Sequence, residues 1–274
     1  MEFLATGGQR LRGRISVPGD KSISHRSIML GSLAEGVTEV TGFLQGEDAM
    51  ATLAAFRAMG VRIDGPQDGH VVIHGVGMHG LKAPSEPLYL GNSGTSMRLL
   101  AGLLAGQGFD VTMTGDESLS RRPMARVADP LALMGAHIET TDGGRPPLTV
   151  HGGRRLRGIE YRMPMASAQV KSSLLLAGLY AEGNTRVIEP APTRDHTERM
   201  LQGFGYAVEV DGDTSTVMGG GRLIATRVDV PADISSAAFF LVAGCIAHDA
   251  DMTLANVGMN PTRIGVLNIL RLIS

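Results

Sequence analysis

Four stretches of the chain share one pattern of hydrophobic and polar positions. Each opens on small or hydroxyl residues, passes through an apolar stretch that carries glycine, and ends in a β-like run. They are SISHRSIMLGSLAEGVTEVTG, GTSMRLLAGLLAGQGFDVTMTG, AQVKSSLLLAGLYAEGNTRVIEP and ISSAAFFLVAGCIAHDADMTLANV. Gly31, Gly102, Gly178 and Gly244 hold matching positions, roughly 70 residues apart, a period too long for a solenoid and suited to a two-helix supersecondary unit.

The remainder of each unit recurs as well. A second helical segment follows in EDAMATLAAFRAMG, RRPMARVADPLALMG, RDHTERMLQGFG and PTRIGVLNILRL. Apolar spacing through Met50, Leu53, Ala54 and Met59 fits a 3.6-residue period, and Gly60, Gly135 and Gly205 stop the first three helices. Paired alternating strands come next: VRIDG with HVVIHGV, HIETT with LTVHG, and AVEVDG with STVMG. A leading strand precedes each unit, in GRISVPG, PLYLGN, IEYRMP and TRVDVPA. The pattern predicts a βαβαββ unit and an α/β (α+β) chain. The fourth copy reaches ILRLIS where the others carry two more strands. Its sheet is expected to be unfinished, through truncation or for completion by another chain.

Composition narrows the class. The 274 residues are 43% hydrophobic and 19% charged, with a formal net charge of −2, so a general nucleic-acid or anionic-membrane surface is not expected. The single cysteine, Cys245, excludes a disulfide framework; in FFLVAGCIA it reads as a core thiol. No run reaches membrane-spanning length, and a reducing cytoplasm is the expected compartment. Only Lys21, Lys82 and Lys171 are lysine among 25 basic residues, which draws attention to each.

The first helix of every unit opens on groups that either cap the backbone or bind an anion. Cations sit at the same places: Lys21 and Arg26 around the first start, Arg98 in the second, Lys171 in the third. In Pro18-Gly19-Asp20-Lys21-Ser22 a turn delivers a lysine and a hydroxyl to a helix start, with Arg26 one turn on. Lysine offers a movable point charge and arginine a planar fork for two oxygens. Gly91-Asn92-Ser93-Gly94 lets a ligand approach the backbone, and Arg121-Arg122 precede a helix-starting proline. Asp195 and Glu198 have capping-box spacing, leaving Arg194 as the better ligand candidate. The G-x-G-x-x-G at Gly75–Gly80 leads into prolines instead of a helix, so it does not read as a dinucleotide site. His70, His74 and His79 read as surface residues of a hairpin without an acidic partner pattern.

PGDKSISHRSIML, LGNSGTSMRLLAGLL, SRRPM, SAQVKSSLLLAGL and RDHTERM, in this order and spacing, resemble the enolpyruvylshikimate-phosphate synthase family. The resemblance implies a two-lobed, inside-out α/β barrel of the enolpyruvyl-transferase type, three βαβαββ units per lobe, with substrates between the lobes. On this chain it implies one complete lobe over 20–227, and a partial second lobe from 1–19 plus 228–274. It implies transfer of the enolpyruvyl group from phosphoenolpyruvate to shikimate-3-phosphate, with no cofactor and no metal. Lys21 then corresponds to the lysine that contacts both substrates and serves catalysis. Ser22, Arg26, Ser167, Ala168, Gln169 and Arg194 correspond to shikimate-3-phosphate contacts, with Gln169 near both ligands. Gly94 and Arg122 correspond to phosphoenolpyruvate contacts.

The chain departs from the family pattern in two ways. Ser93 and Leu99 stand where well-known members have Ala and Pro, which resembles a branch with altered glyphosate sensitivity. Three late family segments, which carry an acidic proton acceptor, a Lys-Glu-x-Asp-Arg motif and a His-Arg pair, are not in this sequence. The chain alone is therefore expected to be inactive: a shikimate-3-phosphate-binding fragment or half of a split enzyme, meeting a C-terminal fragment or itself through the unfinished lobe. The sister activity on a UDP-amino sugar (UDP-N-acetylglucosamine) fits less well, because Lys21 is followed by Ser22 instead of Asn and Cys245 lies in an apolar run.

Overall fold

Residues 10–273 are described by a computed structural model. The described chain opens with β1 (Arg12–Ile15), and the first unit follows in α1 (Lys21–Leu33), β2 (Ala34–Glu35), β3 (Val37–Thr41), α2 (Glu47–Ala58), β4 (Arg62–Gln67) and β5 (His70–His74). The second comprises β6 (Leu88–Tyr89), α3 (Gly94–Ala105), β7 (Val111–Thr114), α4 (Glu117–Ser120), α5 (Ala125–Leu133), β8 (His137–Thr141) and β9 (Arg145–His151). The third comprises β10 (Glu160–Arg162), α6 (Ala168–Gly178), β11 (Asn184–Ile188), α7 (His196–Gly203), β12 (Val208–Asp211) and β13 (Thr214–Met218). There follow β14 (Leu223–Ile224), β15 (Arg227–Asp229), α8 (Ile234–Ile246), β16 (Asp251–Leu254) and α9 (Gly265–Ile273).

Local chemistry sets the helix ends. Asp20 caps α1 by accepting the Ile23 N–H at 2.9 Å, and Ser93 caps α3 by accepting the Ser96 N–H at 3.1 Å. Gly60, Gly135 and Gly205 stop α2, α5 and α7 in the left-handed region, with φ of 87°, 95° and 77°, where a side chain would be strained. The expected second helix of unit two is short: α5 begins only after Pro123, at Ala125, and carries Pro130 within it, and the single turn α4 precedes it.

Three four-stranded sheets repeat one order: β15-β3-β5-β4, β6-β7-β9-β8 and β10-β11-β13-β12. In each, a parallel leading strand meets the middle strand, and an antiparallel hairpin completes the edge. The sheets bury one face, as the alternation in β9 and β13 shows. The central helices α1, α3 and α6 are buried almost all round, so helices lie inside and sheets outside. Among the described residues the sheets do not join into a closed barrel. The repeated glycines earn their places here. A Cβ on Gly31 would meet Ile73 at 2.9 Å, one on Gly178 would meet Thr185 at 2.8 Å, and one on Gly102 would sit 2.0 Å from the Ser173 carbonyl oxygen.

Two leading strands are exchanged relative to the sequence reading. β1, from GRISVPG, pairs in parallel with β16 of the fourth unit, while β15, from TRVDVPA, pairs with β3 of the first. Both segments have the same alternation, so only tertiary pairing separates them. β15 also runs past the expected lobe boundary at 227, ending at Asp229. The chain crosses between these groups twice, side by side. Asp20 N–H donates to the Pro231 carbonyl at 2.8 Å, and Asp233 N–H to that of Pro18 at 2.9 Å. Residues 1–9 and 274, part of the expected second lobe, lie outside the described residues.

Cys245 is exposed, not buried as its apolar surroundings suggested. Helix α8 is apolar on every side, yet only Ile234 and Ala237 are buried on it, while Phe239 and Ile246 are 79% and 81% exposed. An all-apolar helix reads as core only when neighbours surround it, and among the described elements α8 packs mainly against β16 and α9.

Candidate active site

The N-termini of α3 and α6 are locked together by one side chain. Gln169 Oε1 accepts from Arg98 Nη1 at 2.9 Å, while its amide donates to Thr95 Oγ1 at 3.0 Å. Beside this pair, Gly94 leaves room for cations: a Cβ there would lie 2.9 Å from Arg98 Nη1 and 3.1 Å from Arg122 Nη1. Burial, with Arg126 and Arg122 close by, lowers the Arg98 pKa. Arg122 is held by Asn92, whose side-chain and backbone oxygens both accept from it, and by Ser118. Asn92 in turn donates to Asp116 at 2.8 Å. Its neighbour Arg121 turns outward to pair with Glu117. The Arg-Arg pair by itself does not separate the two, and the resemblance singled out Arg122; Asn92 holds that one, and Glu117 holds Arg121.

Behind this loop runs a buried hydroxyl chain. His25 Nδ1 bonds Thr52 Oγ1 at 2.8 Å, Thr52 bonds Ser96 at 2.6 Å, and Ser96 bonds Ser93 at 2.6 Å. Burial drives the His25 pKa down to about 3, with Arg26 adding to the shift, so the ring is neutral. Ser93 is thus tied through Thr52 to α1 and α2, whereas Leu99 lies wholly within the core.

Ser167, Ala168 and Gln169 line an open cleft of about 430 Å³ together with Thr193, Arg194 and Thr262. Ser167 caps α6 through the Val170 N–H at 3.4 Å, a long bond that leaves its hydroxyl available. Arg194 is exposed and projects from the loop ahead of α7. Thr262 belongs to the segment between β16 and α9, so the cleft draws on both sides of the double crossover. Asn260 ties that segment to α7 by donating to Asp195 at 2.6 Å.

Lys21 lies at the first turn of α1, half-exposed, with Nζ 2.8 Å from Asp48. Ser22 is half-buried, and its carbonyl accepts from Arg26 Nη1 at 3.0 Å. Arg26 is only 5% exposed and also donates to Thr197 at 2.7 Å and Ser172 at 2.8 Å. Burial lowers its pKa to about 10; Glu198 opposes the shift and Arg194 adds to it. The guanidinium therefore clamps α1 to α6 and α7, with little of its fork left for a ligand.

Two expectations are corrected. Lys171 is not an anion-binding lysine: it is 1% exposed and ion-paired to Glu189 at 2.8 Å and Glu198 at 2.6 Å. The capping box at Asp195 does not form. Asp195 makes no cap bond and pairs with Arg199 at 2.6 Å, because Glu198 turns inward to Lys171. Arg98, Asn92, Asp48 and Thr262 join the site beyond the residues that the resemblance singled out. Only Arg98 gave a signal in the sequence, as a cation at a helix start.

The sequence profile of EPSP synthase (3-phosphoshikimate 1-carboxyvinyltransferase) matches residues 5–274. The chain belongs to the EPSP synthase family. The 3-phosphoshikimate 1-carboxyvinyltransferase of Methylococcus capsulatus is 68% identical over 269 residues, covering 98% of this chain and 62% of that relative. That of Legionella pneumophila is 57% identical over 270 residues, covering 98% of this chain and 62% of its own. A solved EPSP synthase from Acinetobacter baumannii superposes with a TM-score of 0.93 at 62% identity, covering 97% of this chain and 61% of that one. The chain thus spans about three fifths of the length of these EPSP synthases. The two-lobed α/β architecture is theirs.

Proposed function

We propose that this chain supplies the shikimate-3-phosphate site and part of the phosphoenolpyruvate site of an enolpyruvyl transferase in aromatic amino acid biosynthesis. The observation that carries the reading is the cleft itself. Ser167, Ala168 and Gln169 line it with Arg194, and Gln169 bonds Arg98, which stands with Arg122 beside Gly94. Two anionic substrates need this density of positive charge and free backbone N–H groups.

In this reading Ser167 and Ala168 at the α6 N-terminus hold shikimate-3-phosphate, with Arg194 closing on it and Ser22 at the entrance. Arg26 acts from behind, fixing α1 against α6. Arg122 takes phosphoenolpyruvate over Gly94, and Gln169 stands between the two ligands. Lys21, released from Asp48, serves both anions. A substrate hydroxyl adds to the enol carbon of phosphoenolpyruvate as its methylene gains a proton; phosphate then leaves and the proton returns. No described helix is long and apolar enough to cross a membrane.

A second reading, binding without turnover by this chain alone, is favoured by the open apolar face of α8 and α9. Phe239, Ile246 and Ile269 stand exposed there, a surface suited to a C-terminal polypeptide or a second copy. One experiment separates the two readings: calorimetry with shikimate-3-phosphate, and phosphate release with both substrates. Binding without phosphate release, with turnover restored on adding a polypeptide that carries the family's C-terminal segments, supports the first; binding with no turnover even then supports the second, and turnover by the chain alone overturns both. Absence of shikimate-3-phosphate binding refutes both.

A further inference from the structure

Far along the sheet from the cleft, the edge hairpin of the second unit brings two histidines and a glutamate together. His137 on β8 and His151 on β9 are directly opposed in the antiparallel register, and their rings stack with centroids 4.5 Å apart. Glu139, two residues along β8, is on the same face. Its Oε1 lies 3.1 Å from His151 Nε2 and 4.0 Å from His137 Nε2. One donor atom from each of the three residues lies within 4.8 Å of the others.

The orientation of His151 is fixed from behind. Asp110 Oδ2 sits 2.8 Å from Nδ1, and its other oxygen accepts the Gly152 N–H at 2.9 Å. A carboxylate can only accept, so Nδ1 carries a proton toward Asp110; Nε2 faces the second carboxylate, Glu139, and a metal ion would take the place of the proton between them. That Nε2 is shielded from water and faces Glu139 Oε1. Carboxylate–histidine pairing of this kind orients metal-bound imidazoles. On the other side, Arg154 lies 3.4 Å from His137 Nδ1, and His137 Nε2 faces Glu139.

We propose that His137, His151 and Glu139 form a binding site for a divalent transition metal, with zinc as the best-matched ion. Two imidazole nitrogens and one carboxylate oxygen are the donor set of three-ligand zinc sites, and imidazole disfavours magnesium and calcium. Tetrahedral zinc ligands stand about 3.3 Å apart, so His137 must swing out of its stack to close the site. It is half-exposed and free to do so. The ion would fasten β8, an exposed edge strand whose register with β9 shifts just past Glu139.

The test is titration of the tag-free chain with Zn²⁺ and with Co²⁺, read by calorimetry, cobalt absorption and thermal melting. One equivalent should bind and raise the melting temperature. His137→Gln, at an exposed position, should fold normally and lose at least ~10-fold in affinity, and His151→Gln should lose as much. A His74→Ala control removes another exposed histidine–carboxylate pair, with Asp64, and should bind like the parent. Absence of a one-to-one complex at micromolar metal, indifference to His137→Gln, or loss of binding in His74→Ala would each overturn the proposal.

Discussion

Gln169 and Arg98 meet at 2.9 Å across the starts of two helices from different units. The same amide donates to Thr95, so one side chain sets both the direction of a cation and the spacing of two helix N-termini. Gln169→Leu keeps the volume and removes both bonds. Binding of shikimate-3-phosphate should fall by at least ~10-fold, the value of about 1.4 kcal/mol, because Arg98 is freed from its position. The unfolding midpoint should change little at this partly exposed site. Calorimetry beside thermal melting checks both; unaltered affinity would remove Gln169 from the site.

The proposed division of the ligands can be tested by three substitutions in the full-length context. Lys21→Met should abolish enolpyruvyl transfer, because its charge serves both anions. Arg122→Ala should raise the KM for phosphoenolpyruvate with little effect on shikimate-3-phosphate. Ser167→Ala should do the reverse, at a stability cost near the low end of about 0.5–2 kcal/mol for a lost cap, since its cap bond is long. Equal effects on both substrates from all three would show the division to be wrong.

Lys171 is expected to matter for folding and not for ligand charge. Lys171→Met leaves Glu189 and Glu198 facing each other in the core without their cation. Breaking a buried pair in this way costs about 3–5 kcal/mol. Urea unfolding should show that loss. A stable variant with impaired shikimate-3-phosphate binding would return Lys171 to the site.

Acid should loosen the protein before most carboxylates titrate. Burial lowers the pKa of His25 from 6.5 to about 3 and that of His196 to about 4, with Arg26 reinforcing both shifts. As pH falls below 6.5 the unfolded chain therefore takes up protons that the folded chain refuses. The stability these rings contribute is complete above 6.5 and is lost progressively down to about 4 for His196 and about 3 for His25. Each ring should lower stability by about 1.4 kcal/mol per pH unit in that window. Denaturant unfolding at stepped pH measures the slope, and His25→Gln should roughly halve it. An unaltered slope in that variant would assign the effect elsewhere.

Much of this protein could be read from residues that act on their near neighbours. The βαβαββ repeat, the helix stops at Gly60, Gly135 and Gly205, and the hairpins follow from periodicity, backbone freedom and turn chemistry within one segment. The family motifs were legible for the same reason: Ser167 through Gln169 are adjacent in the chain, and so are Arg121 and Arg122. Partner choice across the chain was not. GRISVPG and TRVDVPA carry equivalent alternation, and only packing assigned β1 to β16 and β15 to β3. Lys21 and Lys171 look alike as lysines at helix starts, yet one meets solvent and Asp48, the other two buried glutamates. Cys245 sits in an apolar helix, but α8 has too few neighbours to bury it. Local sequence sets dihedral preference and the apolar face of an element. What that face meets, and whether a charge finds water or a partner, depends on residues distant in sequence, and only the tertiary structure brings those together.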